Sequence, residues 1–497
     1  MFSNSVAFAI VLIAAAFYYS HLEKAEQDNN ATGTIESQIV SSWRAIIKAG
    51  RESQYFQLKS KIAVGVNVNA DLIVPGTDVL RKIGMAPSNS AAIHSVITSL
   101  EDFEETFSYS LKNGAAVERI FAEKQDFLKV VQAADSLDQK QYFVGGNAAL
   151  AALKMATDAP HLKVLLVGPC GPQVRDLLPD NMVIPKNSAM ATDEVHLIME
   201  YQRGERWGGY EAKVATRFIT SYDVSNTEMT LLGVFAQNVK EFSPDAVFFS
   251  GLHLLDGQPA ETKTTKLAAV NAQLKQLPVG LPIHLELASM ADSALIEGIY
   301  NEVLSSVHSL GLNEQELSFV SAVNSGPHPE LYIREGYPEV GAVADVLYWL
   351  LSSTTQPVVP TPGGKSNAPS MTPKLSRVHF HSLSFHIVAT LSGTWNNSEA
   401  AVAAGARIAG RQACDDGKIV DEKVELRMPR RFALSINDPA LRQTIAEISP
   451  AKAVLAWTRG NVEFHLSPVL VCKRPVKTVG LGDAISATGF LYSQYVS

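Results

Sequence analysis

The feature that most constrains this chain is a series of short apolar runs with helix-like stretches between them. Ile62-Ala-Val-Gly-Val66, Lys163-Val-Leu-Leu-Val-Gly168, Ala246-Val-Phe-Phe-Ser-Gly251 and Ile283-His-Leu-Glu-Leu-Ala288 are the clearest. A strand with one wet face alternates apolar and polar side chains, whereas a nearly continuous apolar run asks to be covered on both faces. Strand–helix alternation of this kind predicts a mostly parallel, doubly wound α/β sheet. Such sheets bind ligands where the strands end. The first run continues into Asn67, Asn69 and Asp71, and Lys61–Asp71 is predicted as one strand with polar side chains at its carboxyl edge. Those side chains either cap turns or face a ligand. His284 and Glu286 fall on one face of the fourth run, at a period of two.

The second informative stretch lies near the end of the chain, from Val469 to Gly489. Val469–Cys472 reads as a strand end, Gly480 and Gly482 permit a tight turn, and a buried helix begins around Asp483. Strand, glycine turn and helix N-terminus together form an anion site, because the first-turn N–H groups lack intrahelical acceptors and the helix dipole adds positive charge. Asp483 in that position repels a phosphate unless it acts as a general base on an attacking hydroxyl. The competing reading is a simple N-cap beside turn glycines. A dinucleotide fingerprint does not fit: only 14 residues follow Asp483, and that fingerprint needs a ribose-binding acid about 20 residues on.

Other polar residues stand at predicted element ends. Phe143–Leu153 reads as a strand end, the pair Gly145-Gly146 and a helix start, and the glycines allow a ligand hydroxyl close to the backbone. Ser309–Leu317 reads as a helix start with Asn313 at the cap and Glu316 in the first turn. Glu286 and Glu316 together suit Mg²⁺ near a phosphate; separately, they read as a strand-end acid and a first-turn acid favoured by the dipole. Arg377–Val388 reads as one strand with His379 and His381 on one face. These histidines lack a third metal ligand at suitable spacing and read as core or nucleotide-stacking residues. Helices are expected over Ser41–Arg51 and from about Asn397 to Cys414.

The alternation breaks between Thr192 and Asp223. Val195–Tyr201, a Gly-rich turn and Arg217–Thr220 read as antiparallel strands of an inserted β lid. The expected organisation is a large domain (55–71, 140–190 and 225–497), a lid (72–139 and 191–224), a linker with an N-terminal helix (23–50) and a mobile Pro-rich loop (354–374). Residues 6–19 form an apolar run with the length of a signal h-region, shorter than a membrane span. It predicts a signal peptide or anchor within 1–22 and a secretory-pathway location, the endoplasmic reticulum or beyond. Asn30 and Asn396 sit in glycosylation acceptor patterns. A net charge of −8 argues against nucleic acid as a partner. Three cysteines, Cys170, Cys414 and Cys472, make neither a disulfide scaffold nor a metal motif.

Five motifs in order, Asn67-x-x-x-Asp71, Gly145-Gly-Asn147, His284-x-Glu286, Asn313-x-x-Glu316 and Gly480-x-Gly-Asp483, resemble the ADP-dependent sugar kinases of the ribokinase-like superfamily. The surrounding phrases His-Leu-Glu-Leu-Ala-Ser-Met and Thr-Val-Gly-Leu-Gly-Asp-Ala-Ile-Ser-Ala are similar to its animal, glucose-using members. The resemblance covers about 64–489. It implies a large Rossmann-like domain with a β-sheet lid, and Mg-dependent phosphoryl transfer from ADP to the glucose 6-hydroxyl with release of AMP. It implies Asp483 as base, Gly480, Leu481 and Gly482 as the anion hole, and Glu286, Glu316 and Asp483 as the magnesium acids. Asn67, Asp71, Glu118, Gly145, Gly146 and His196 become sugar contacts. Asn313, Arg217, His379, Phe380 and Gly482 become nucleotide contacts. An acid at Glu118 goes with glucose, because it would repel a sugar phosphate. A monomer is expected, with glucose and ADP as partners. In an oxidising compartment Cys414 and Cys472 are expected to pair near the nucleotide. An ATP-dependent sugar kinase and a catalytically silent sugar- or nucleotide-binding protein are the alternatives.

Overall fold

The computed structural model of the chain describes residues 33–88, 90–331, 337–353, 375–415, 417–476 and 480–496. The apolar run 6–19, Asn30 and the loop 354–374 lie outside them. Two sheets carry the architecture. The larger has ten strands, in spatial order Leu455–Arg459, Val462–Pro468, Phe385–Leu391, Arg377–His381, Ser309–Asn313, Ile283–Glu286, Ala246–Ser250, Lys61–Val66, Lys163–Val167 and Met182–Val183. The strands from Arg377–His381 to Met182–Val183 run parallel, and the other three add on antiparallel. The apolar runs are buried as expected of a sheet covered on both faces. Because the seven parallel strands point one way, Asn67, Gly251, Glu286, Asn313 and His381 gather at one carboxyl edge.

On one face lie Leu481–Tyr492, Asn147–Asp158 and Ser398–Ala413, packed against one another. Leu232–Phe242, Ala260–Lys275 and Val340–Ser353 bury their apolar sides against the other. The N-terminal helix spans Ile35–Glu52, starting before the expected Ser41 because Thr34 caps it, accepting from Ser37 N at 3.2 Å. It is bound to the core by Ile39, Trp43 and Ile47, and the Trp43 indole donates to Ser467 Oγ at 2.8 Å. Cys414 and Cys472 form a disulfide that joins the end of Ser398–Ala413 to the strand Leu470–Cys472.

The smaller sheet has the order Val117–Ile120, Thr216–Ser221, Val195–Tyr201, Asn69–Pro75, Gln141–Gly145. It alternates cleanly. Leu72, Val74, Leu197, Met199 and Phe218 point into a core shared with Phe103 and Phe107 of the helix Leu100–Asn113. The opposite face presents Asp71, Glu118, His196, Arg217 and several isoleucines.

The expected single strand Lys61–Asp71 is therefore two. It breaks after Val66, and Asn69–Pro75 belongs to the small sheet, as does Gln141–Gly145. The break has a local cause: the Asn226 side chain brackets Val68, accepting from its N–H at 3.1 Å and donating to its carbonyl at 2.8 Å. That satisfies the backbone where it leaves one sheet for the other. Arg377–Val388 is also two strands, a hairpin turned by Ser382 Oγ, which accepts from Ser384 and Phe385 N–H. Ser309–Asn313 is a strand, and its helix begins one residue later at Glu314.

Candidate active site

The helix Leu481–Tyr492 starts at Gly480, whose φ of +65° is the left-handed region that glycine tolerates. Leu481, Gly482 and Asp483 form its first turn, so their N–H groups face outward from the helix end. Asp483 is 5% exposed. Both its oxygens accept from Asn147 Nδ2, at 3.1 and 3.2 Å. Burial, then the negative charge of Glu286, pushes its carboxyl up to about 8, with Glu316 adding to the rise.

Glu286 ends a central strand in a relay of buried groups. Arg377 Nη1 donates to Ser309 Oγ at 2.7 Å, which leaves the serine hydroxyl to donate to His284 Nδ1 at 2.8 Å. His284 then carries its proton on Nε2 and donates to Glu286 Oε2 at 3.0 Å. His381 Nε2 meets the other oxygen at 3.2 Å. Burial alone would push Glu286 up, yet these two imidazoles hold it below its ordinary range. His381 is correspondingly raised, burial notwithstanding. Gly311 is required beside this pair: a Cβ there would fall 1.8 Å from Glu286 Oε2.

Glu316 is the N3 residue of a capping box with Asn313. Asn313 N and Nδ2 donate to its two oxygens at 2.8 and 2.9 Å, and Asn313 Oδ1 accepts from Glu316 N at 3.0 Å. Burial pushes Glu316 up to about 7, with Glu286 among the charges that raise it. The capping reading is thus physically present, and the residue still belongs to a mutually repelling group with Glu286 and Asp483. Among the described residues there is no set of three His, Cys, Asp or Glu side chains arranged as direct metal ligands. The carboxylate oxygens are spent on Asn147, His284, His381 and Asn313, so what the three acids offer a cation is concentrated negative charge.

The segment Gly145–Asn147 joins this edge to the small sheet. A Cβ on Gly145 would meet Asn69 Nδ2 and Asp71 Oδ1, both at 2.2 Å, and one on Gly146 would meet the Asn67 carbonyl at 2.7 Å. Asn67 itself is buried, its Oδ1 accepting from Ala148 N at 3.0 Å at the start of the helix Asn147–Asp158. Asp71 accepts from Asn69 Nδ2 at 2.6 Å, and burial raises its pKa. His196 sits beside Asp71 in register and is 2.9 Å from Asp223 Oδ2. Burial would lower His196, but Asp223, then Asp71 and Glu118, bring it up to about 9. Glu118 and Arg217 both act on Asp71, with opposite signs. The face thus holds two acids against two bases.

Residues 60–492 match the ADP-specific phosphofructokinase/glucokinase conserved region. The chain belongs to that family. It is 43% identical to an ADP-dependent glucokinase of Bos taurus over 463 residues, covering 93% of this chain and 89% of that one. It is 36% identical to a probable ADP-dependent glucokinase of Caenorhabditis elegans, over 98% and 94%. A solved structure of the last common ancestor of ADP-dependent phosphofructokinases from Methanosarcinales shares the fold at a TM-score of 0.63 and 18% identity, over 92% of this chain and 97% of that one.

Within this member of the ADP-specific phosphofructokinase/glucokinase family, two expected nucleotide contacts need correction. His379 and Phe380 are fully buried. The His379 ring is enclosed between two helices, within 3.2 Å of a Cβ placed on Gly405 and 2.7 Å of one on Gly489. An adenine cannot reach either side chain there. The imidazole that does reach the carboxyl edge is His381, two residues on. Residue-by-residue reading also missed Asn147, Gly311, Ser309, Arg377 and Asp223 as members of the two charged clusters. Asn147 carried a signal, since it directly follows the glycine pair. The others had none, because their partners are remote in the chain.

Proposed function

We propose that this protein transfers the terminal phosphoryl group of ADP to the 6-hydroxyl of glucose and releases AMP. One observation carries the reading: an aspartate in the first turn of a glycine-started helix, raised by burial and then by two neighbouring glutamates, in a chain closely similar to ADP-dependent glucokinases. Phosphoryl transfer is mostly positioning and charge stabilisation. Asp483, aligned by Asn147, takes the proton from the attacking hydroxyl. The N–H groups of Leu481, Gly482 and Asp483 hold the transferring phosphoryl oxygens.

Mg²⁺ is the fitting cation, because burial and the charge of Glu286 push both Asp483 and Glu316 up despite the nearby His381. Bound there, it would neutralise phosphate charge. Glu286, Glu316 and Asp483 would hold it through water, since their oxygens already have partners. Asp71, Asn67, Glu118, His196 and the Gly145-Gly146 backbone orient the sugar, while Arg217 and Asn313 face the phosphates of the nucleotide. Glu118 favours glucose over fructose 6-phosphate by charge repulsion. The structure-borne Cys414–Cys472 disulfide supports a secretory-pathway location, in line with the apolar run at 6–19. Protease protection in intact microsomes tests that location.

Purified protein with Mg²⁺ is to be assayed with ADP or ATP against glucose or fructose 6-phosphate. Glucose 6-phosphate formed from ADP, with AMP in equal amount, is the expected result. Turnover only with ATP, or only with fructose 6-phosphate, defeats the reading.

A further inference from the structure

A cavity of about 490 Å³ opens at the far end of the helix Leu481–Tyr492 from Asp483. A helix of twelve residues is about 18 Å long, so the cavity is remote from the phosphoryl-transfer groups. Its wall holds Arg51 of the N-terminal helix, Lys59, and Arg407 and Arg411 of the helix Ser398–Ala413. Tyr492 and Phe56 supply aromatic surface, their ring centres 6.1 Å apart. Asp158 is the only acid among the described lining residues, and it is taken: Lys154 lies 3.0 Å from it and Arg411 3.9 Å.

The cations are unevenly satisfied. Lys59 caps the end of the catalytic helix, donating to the carbonyls of Leu491 and Ser493 at 3.0 and 2.6 Å. Arg51 lies over the Tyr492 ring at 5.3 Å. Arg407 is partly buried, yet among the described residues it donates no hydrogen bond and has no carboxylate partner. Burial, then the charges of Arg44 and Arg411, lowers its pKa. A partly desolvated guanidinium among like charges costs free energy unless an anion joins it. Guanidinium groups match phosphate oxygens in pairs, and an aromatic wall receives a flat or apolar body.

We propose that this cavity is a second anion site, which binds a phosphate group carried on an apolar or ring-shaped body. A free organic phosphate and an anionic lipid headgroup share that chemistry. The site stands independently of the glucokinase reading, and binding rather than turnover reports on it.

The probes are phenyl phosphate, titrated calorimetrically, and vesicles of phosphatidic acid in phosphatidylcholine compared with phosphatidylcholine alone, in a flotation assay. They are applied to the unaltered chain, to Arg407→Gln and to Asp483→Asn. Because Arg407 has no hydrogen bond or carboxylate partner to lose among the described residues, Arg407→Gln is expected to keep or raise the melting temperature; Arg411→Gln serves as a second variant if it does not. Phenyl phosphate binding that weakens at least about tenfold in Arg407→Gln and persists in Asp483→Asn supports a free organic phosphate. The same pattern with vesicles alone supports a headgroup. No binding in either arm, or binding unchanged by both arginine variants, overturns the proposal.

Discussion

The two sides of the site handle charge in opposite ways. At the carboxyl edge of the large sheet, Asp483, Glu286 and Glu316 crowd together, and two of the three are pushed up toward neutrality. Across the Gly145–Asn147 segment, the small sheet sets Asp71 and Glu118 against His196 and Arg217. The first side is short of positive charge and suits a cation with a phosphate. The second sets cations among its acids and suits a neutral, hydroxyl-rich molecule, which needs both donors and acceptors. Burial alone does not separate them, since Asp223, beside His196, is as buried as Asp483. Neighbours do, and those neighbours come from the order of strands in two different sheets.

The strongest way to break this comparison is Asp483→Ala. With Asp483 as the proposed base, its loss should cut ADP-dependent glucose phosphorylation by at least about 100-fold with the fold intact by circular dichroism; near-normal turnover would falsify the division of labour. Asp71→Asn comes next. Removing a charged hydrogen-bond partner should raise KM for glucose by about 10- to 100-fold while leaving KM for ADP unchanged, if Asp71 serves the sugar alone. An equal rise in both constants would merge the two sides into one site.

Gly311→Ala probes the carboxylate side through its packing. The new methyl collides with Glu286 Oε2, so thermal or urea unfolding should show a loss of about 1–3 kcal/mol, together with reduced activity. Unchanged stability and turnover would mean that Glu286 has room the structure does not give it.

The smallest effects are the pH limbs of stability. Asp483 is raised from 3.8 to about 8, so its contribution is fully present below about 4 and lost as pH rises through 8. His196 is raised from 6.5 to about 9, so its contribution is present below 6.5 and lost as pH rises through 9. Urea titrations across pH should therefore lose the lower limb in Asp483→Asn and the upper limb in His196→Asn. Both limbs vanishing in one variant would show a single coupled network.

Much of this was legible in the chain. Apolar runs such as Ala246–Ser250 specify strands covered on both faces because hydrophobic burial acts residue by residue. The turn at Gly480 and the helix behind it are local, so the address of Asp483 followed from a few neighbours. Less legible was any choice among similar residues on one strand. His379 and His381 share a face, yet one is locked between Gly405 and Gly489 and the other reaches Glu286. Likewise the run from Lys61 to Asp71 reads as continuous, and only Asn226, far along the chain, divides it between sheets.

By itself the sequence determined which segments become strands and helices and which end of each is polar, since periodicity, glycine and capping act over a few residues. Tertiary structure alone decided that Asn147 holds Asp483 across 336 positions, that Asp223 charges His196, and that Arg407 faces other cations instead of an acid. Those are properties of charges brought together in a low-dielectric interior. Their strength depends on separation in space and on exclusion of water, and neither quantity is written in the spacing along the chain.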